Sequence, residues 1–345
     1  MLFINNKMDL TKTTLMNKII LTIASLLLLG MGTKQANAQI DPHFSQYYAN
    51  PLWLNPGLTG VTDGKFRANI NAKQQWNNLN NGYRTIGASF DAAPTDKLSY
   101  GAMIINQTAG AVSFNQLNAL GSLGYRIRLG KSGEHFINFG LQAGIISKSF
   151  DASKVTLGNQ FDPSTGAGGL PMGESFASDN FLAPDINAGL MYFDGSGNKS
   201  VNAFGGIAIA HLSQPIDEFV GGDSRIPMRF TGHGGARVKI NQSIDITPNF
   251  LFLQQGNARE IAVGAYAQLN LNAETDLILG SNYRFDDAAI AFLGMHIKNM
   301  MIGLSYDFNT SVLRQSMGSR GGLELSISFS PRRGIVGPNF FCPRL

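Results

Sequence analysis

The feature that most constrains this chain is a two-residue period running from Gly64 to Ser330. Leu323, Leu325, Ile327 and Phe329 alternate with Glu324, Ser326, Ser328 and Ser330, and Ile302, Leu304, Tyr306 and Phe308 with Gly303, Ser305 and Asp307. At the other end Phe66, Ala68, Ile70 and Ala72 alternate with Lys65, Arg67, Asn69, Asn71 and Lys73. Such alternation is a β-strand with one apolar and one polar face. It predicts fourteen strands: about 64–76, 83–92, 98–107, 113–129, 135–150, 183–193, 199–211, 228–240, 244–255, 259–271, 275–285, 288–297, 300–308 and 322–330. The even-numbered connections are all short, whereas the long ones (151–182, 212–227 and 309–321) are all odd-numbered. A β-sandwich has no reason to sort its loops by parity. An up-and-down barrel does, with short periplasmic turns at one rim and long external loops at the other.

The expected fold is therefore all-β: one 14-stranded antiparallel transmembrane β-barrel over 64–330, with both ends of the strand array at the short-turn rim. The polar faces carry Lys65, Arg67, Lys73, Asp91, Lys148, Arg237 and Glu324, while the apolar faces are nearly free of charge. That division suits a hydrated lumen with hydrocarbon outside. The inward residues read as polar, with no apolar path between them. An arginine at Leu325 is expected to cost about 2–4 kcal/mol near the midplane, and one at Ser326 to be tolerated.

The first residues read as an export signal, 1–38. Lys7, Lys12 and Lys18 precede the apolar run Ile19–Met31, which is too short to span a bilayer as a helix, and Ala36-Asn37-Ala38 is a small-x-small cleavage site. Most of the formal charge of +4 lies in this stretch, so it is no argument for a nucleic-acid partner. The single cysteine, Cys342, excludes an intrachain disulfide framework. Glycine at 40 of 345 residues and a charged fraction of 14% fit a β structure facing an apolar medium.

Between signal and barrel, Gln39–Gly60 shows neither period. Asn50-Pro51 and Asn55-Pro56 forbid a continuous helix, yet Phe44, Tyr47, Tyr48, Leu52, Trp53 and Leu54 are too apolar for a free tail. A barrel of this size is wider than one that wall side chains can fill. The segment 39–63 is expected to enter from the periplasmic rim and plug the lumen, with Phe44, Gln46, Tyr47, Asn50, Pro51, Asn55 and Pro56 carrying the contacts. Its aromatics are expected to stack on the wall and its asparagines to satisfy lumen charges. The bland alternative is an arm lying on a globular core. After the last strand, the tail 331–345 is expected to be periplasmic, with Arg332, Arg333, Phe341, Cys342 and Arg344 as docking residues.

At Asp41–Gly60 the sequence DPHFSQYYANPLWLNPGLTG resembles the N-terminus of the PorP/SprF family, outer-membrane proteins of the Bacteroidota type IX secretion and gliding-motility system. KQQW (Lys73–Trp76), HLSQP (His211–Pro215) and CPRL (Cys342–Leu345) add to the resemblance, which covers the whole mature chain. It implies an outer-membrane barrel without enzymatic activity or cofactor. It also implies partners: a secreted surface protein with a C-terminal targeting domain, and ring or peptidoglycan-associated lipoproteins in the periplasm. On that analogy the long loops hold the cargo, with His211, Gln214 and Pro215 at the contact, and the tail meets the machinery; for His211, at a strand's external end, a rim hydrogen bond is the alternative reading.

Chemistry has little foothold. The five histidines have no metal-site spacing, no Gly-x-Ser-x-Gly elbow occurs, and Asp217, Glu218 and Asp223 read as loop carboxylates before they read as a calcium site. Asp286-Asp287 reads as a hairpin turn. Two other functions stay open: a plugged transport channel of the fatty-acid-transporter type, which needs an apolar path or lateral opening, and a soluble secreted sandwich adhesin.

Overall fold

Alternating faces become a closed ring. A computed structural model describes residues 41–62, 64–76, 82–130, 134–155, 179–217, 224–272, 274–311 and 320–331. The strands are β1 (Phe66–Gln75), β2 (Tyr83–Ala92), β3 (Leu98–Ala109), β4 (Phe114–Leu129), β5 (His135–Ser149), β6 (Asn180–Asp194) and β7 (Val201–Ala210). They continue as β8 (Arg229–Lys239), β9 (Ile244–Gln255), β10 (Ala258–Asn272), β11 (Thr275–Arg284), β12 (Ala288–Ile297), β13 (Met300–Asn309) and β14 (Arg320–Phe329). Each pairs antiparallel with its sequence neighbours, and β1 pairs with β14 to close the barrel. Closure leaves no strand edge unpaired, which a sheet in hydrocarbon requires.

Burial follows the alternation. On β14, Leu325 is 44% exposed while its neighbours Glu324 and Ser326 are 0% and 4%. Ile70, Leu123, Leu141, Leu182 and Ile207 are bare on the outside of other strands, as a wall meeting lipid needs to be. The expected signal at 1–38, residues 332–345, and most of the three long loops (156–178, 218–223 and 312–319) lie outside the described residues.

Two expectations about the interior are corrected. The inner wall is not uniformly polar. Met103, Ile105, Leu120, Phe136, Met191, Phe193, Phe204, Leu251 and Leu253 are buried inside it. Several strands are apolar on both faces there, which alternation alone does not reveal. Nor is Ser326 a water-facing site: its hydroxyl donates to Gln46 Oε1 at 2.5 Å. An arginine there would have to displace the segment in the lumen.

The run before β1 occupies that lumen. It consists of a 3-10 turn (Tyr47–Ala49), a single helical turn α1 (Pro51–Leu54) and a second 3-10 turn (Pro56–Leu58). Proline begins both of the last two, where its missing N–H costs nothing. Phe44, Leu52, Leu54 and Leu58 are among the most buried side chains of the protein and share one core with the inner wall.

Its direction was not expected. Gly60 meets Asp91, at the short-turn end of β2. Asp41 instead meets His211, Arg229 and Gln255, all at the long-loop ends of β7, β8 and β9. The segment joins β1 at the short-turn rim, but its first described residue sits at the opposite rim.

Candidate functional site

The segment forms no ladder with the wall, so its backbone groups need other partners. Inward amides and guanidiniums supply them. Asn138 Nδ2 donates to the carbonyls of Gly57 (2.7 Å) and Thr59 (3.0 Å), and Gln142 Nε2 to that of Leu52 (2.9 Å). Ser99 Oγ donates to the Thr59 carbonyl at 2.8 Å, and Arg126 Nη2 to that of Gly60 at 2.6 Å. Arg67 grips Asp91 through two bonds (3.0 and 3.1 Å) and the Leu58 carbonyl through a third (3.1 Å). Arg126 also lies 5.7 Å from the Phe136 and Phe193 ring centres, closing this side of the short-turn mouth.

Residues 55–58 press directly on the wall because the wall is bare there. A Cβ on Gly140 would run into the Pro56 carbonyl, and one on Gly189 into the Asn55 side chain. Asn55 Oδ1 accepts from Gly57 N (2.7 Å), and its Nδ2 donates to the Leu190 carbonyl (3.0 Å) with His233 Nε2 also 3.0 Å away. Asn55 and Pro56 are thus contact residues, but through wall backbone and a histidine, not through lumen charges.

Ser45 and Gln46 meet the charges instead. Ser45 N donates to Glu324 Oε2 (2.7 Å), its hydroxyl to Asp307 (2.6 Å), and Lys73 Nζ donates to that hydroxyl (2.8 Å). Lys73 and Arg284 flank Asp307 at 3.4 and 3.1 Å. Gln46 Nε2 donates to Ser305 Oγ (3.1 Å) and the Glu324 carbonyl (2.9 Å). Tyr47 donates to Asn249 Oδ1, and Tyr48 lies edge-on to Phe204 at 5.8 Å. Asn50 is buried against Gly87, with its Nδ2 among the unpartnered atoms.

At the long-loop rim a clasp holds the leading residue. Asp41 Oδ2 accepts from His211 Nε2 and Arg229 Nη1, both at 2.8 Å, and His211 Nδ1 faces Asp185 Oδ1 at 3.0 Å. Arg229 lies 4.5 Å from the Trp53 ring centre and donates to its carbonyl (2.9 Å), while Phe44 packs edge-on to Trp53 at 5.3 Å. Both passes of the segment are tied together there. Burial alone would depress the His211 pKa, but the Asp41 and Asp185 carboxylates outweigh it and hold it up at about 9. Burial alone would raise the Asp41 carboxyl, but His211 and Arg229 hold it well below the usual range. His43 is the opposite case. Burial, then Lys73 and Arg284, push it far down, so it is neutral and accepts from Gln75 Nε2 at 3.2 Å.

His211 and Pro215 are both buried, and His211 makes rim hydrogen bonds instead of facing outward. Alternation after the inward Ala210 would send His211 outward, but its φ of +58° swings it into the lumen. Gln214 is half-buried and its carbonyl accepts from Arg225 (3.0 Å). The described ends of this loop fold inward: Lys148 pairs with Asp217 at 2.6 Å, and Ile226 packs on Ile146, Phe181 and Ala183. Leu212 and Ile216 remain exposed on its outer side. Arg332, Arg333, Phe341, Cys342 and Arg344, with Glu218 and Asp223, lie outside the described residues. Among the described residues no group of three or more His, Cys, Asp and Glu is placed to hold a metal ion.

The arrangement packs the segment against the inner wall in one shared core. Sequence reasoning missed the wall's half of it: Gly140, Gly189, Asn138, Gln142, Asp185 and Arg229. The signal was there as glycine and amide residues on the inward register of adjacent strands.

Comparison with known proteins gives a consistent result. Residues 36–329 match the family described as type IX secretion system membrane protein PorP/SprF. No curated protein matches the chain. The toluene transporter TbuX of Ralstonia pickettii is similar in structure at a TM-score of 0.50 and 12% identity, covering 82% of this chain and 93% of that one. The toluene transporter TodX of P. putida follows at 0.45 and 10%, covering 82% and 93%. At such identities the likeness to TbuX speaks for an outer-membrane barrel fold alone.

Proposed function

Because this chain belongs to the family of type IX secretion system membrane proteins PorP/SprF, and is an outer-membrane barrel, we propose that it is a sealed, non-enzymatic anchor. It holds a secreted surface protein at its long-loop rim through that protein's C-terminal targeting domain. Its short-turn rim and the tail residues Arg332, Arg333, Phe341, Cys342 and Arg344 meet the periplasmic machinery. What supports this reading is the shared core of the segment's aromatic and leucine side chains with the inner wall; a lumen filled in that way would offer surfaces and not a path. With His211 and Pro215 buried, the cargo-facing surface moves to the exposed Leu212 and Ile216, beside Gln214.

The test is affinity purification from outer membranes with mass spectrometry, run on the intact chain and on Leu212→Asp/Ile216→Asp. The anchor reading expects a targeting-domain protein with the first and its loss with the second, while periplasmic components stay. Equal recovery from both would move cargo contact elsewhere.

One observation keeps a second reading. The belt of Met103, Ile105, Leu120, Met191 and Leu251 would line an apolar route if the segment withdrew. Uptake of a hydrophobic solute by vesicles holding the intact protein would favour transport.

A further inference from the structure

The segment fills the lumen unevenly. Under its 45–49 turn, on the β9–β14 side, a cavity of about 90 Å³ remains. Tyr47, Tyr48, Tyr266, Ile278 and Phe292 make most of it apolar, with Asn249 and Asn282 at its sides. Its lining reaches the row Met301, Ser328 and Asn69, which are register partners on β13, β14 and β1. Met301 and Ser328 each stand one residue from their strand's end at the short-turn rim. A space of this size, mostly apolar in its lining, suits one aromatic side chain.

We propose that this cavity is the seat of the chain's own C-terminal tail, with the Phe340-Phe341 pair as the inserted group. The tail leaves β14 beside the row that ends the cavity. Pro331 is three residues from Ser328, about 10 Å along a strand, and the ten residues from Pro331 to Phe341 reach up to about 33 Å. The tail can therefore turn back with slack. Ile335, Val336, Phe340, Phe341 and Leu345 make it too apolar to remain in water, and it carries no strand pattern. Seated so, it leaves Arg332 and Arg333 at the rim for the machinery and withdraws Phe341 from that contact. The inference rests on the proposed periplasmic role of that rim, but its test needs no partner.

Cys342 is the chain's only cysteine and adjoins the inserted pair. In purified full-length protein, Ser328→Cys is paired with Cys342 under mild oxidation and compared with Asn241→Cys, at the β8–β9 turn of the same rim. The proposal expects an intramolecular disulfide with Ser328→Cys, none with Asn241→Cys, and its loss when Phe340→Ser/Phe341→Ser is added. Heat-modifiable migration on gels checks that each variant is folded. Equal bridging at both sites, or bridging unaffected by the phenylalanine changes, would overturn it. So would disulfide-linked dimers alone, which would assign the cavity to a second copy. Absence of a bridge in folded protein would also overturn it, and would leave the cargo reading standing.

Discussion

The two halves of the lumen segment are held by different physics. Residues 50–60 lie on bare glycine, with leucines buried and carbonyls bonded to neutral amides and to three arginines, Arg67 and Arg126 at the short-turn rim and Arg229 at the other. Residues 41–49 are held chiefly by buried charge: Asp41 between His211 and Arg229, and Ser45 between Lys73, Asp307 and Glu324. Shape complementarity does not titrate, whereas buried ion networks depend on every member being present. The leading half is therefore expected to open first when a charge is lost, and the half joined to β1 to stay. The two histidines beside the leading half show how local the control is. His211, between two carboxylates, is charged, while His43, near Lys73 and Arg284, is neutral.

Removing one charge from the middle cluster should have the largest effect. Lys73→Met leaves Asp307 with Arg284 but without its second cation, and Ser45 without its donor, a loss of up to about 3–5 kcal/mol for a broken buried pair. Hydrogen exchange in membranes should rise over 41–49 and hardly over 50–60; a uniform rise would erase the distinction.

The converse substitution is Gly140→Val. Overpacking against the Pro56 carbonyl is expected to cost about 1–3 kcal/mol. Exchange should then rise over 55–60 first, with the clasp at Asp41 intact. If 41–49 opens as readily, the two halves are one cooperative unit.

Alkaline pH gives the smallest effect, because Arg229 still holds Asp41 when His211 does not. A raised pKa means the imidazolium stabilises fully below its ordinary value of 6.5, and that contribution fades as pH rises through about 9. Exchange at 41–44, after correction for its intrinsic base catalysis, should increase between pH 8 and 10, and His211→Gln should abolish that excess. An unchanged profile in that variant would assign the effect elsewhere.

These contrasts also explain what was legible in the sequence. Strand number and boundaries were, because lipid on one side and a packed interior on the other impose alternation on every strand: β2, β9 and β12 fall at the expected residues. A docked segment was legible too, since Trp53, Leu52 and Tyr48 had to be buried somewhere. Its direction was not, because that depends on Asp41 finding groups 170 and 188 residues away. The inward turn of His211 was not legible for a related reason. One left-handed φ, which periodicity does not encode, turns it inward.

Ion conductance across planar bilayers tests the central claim most directly, comparing the intact protein with a chain lacking residues 41–60. A lumen filled by this segment predicts that the intact barrel is closed and the shortened one passes steady current. Free conduction by the intact barrel, or a shortened barrel that stays equally closed, would contradict it.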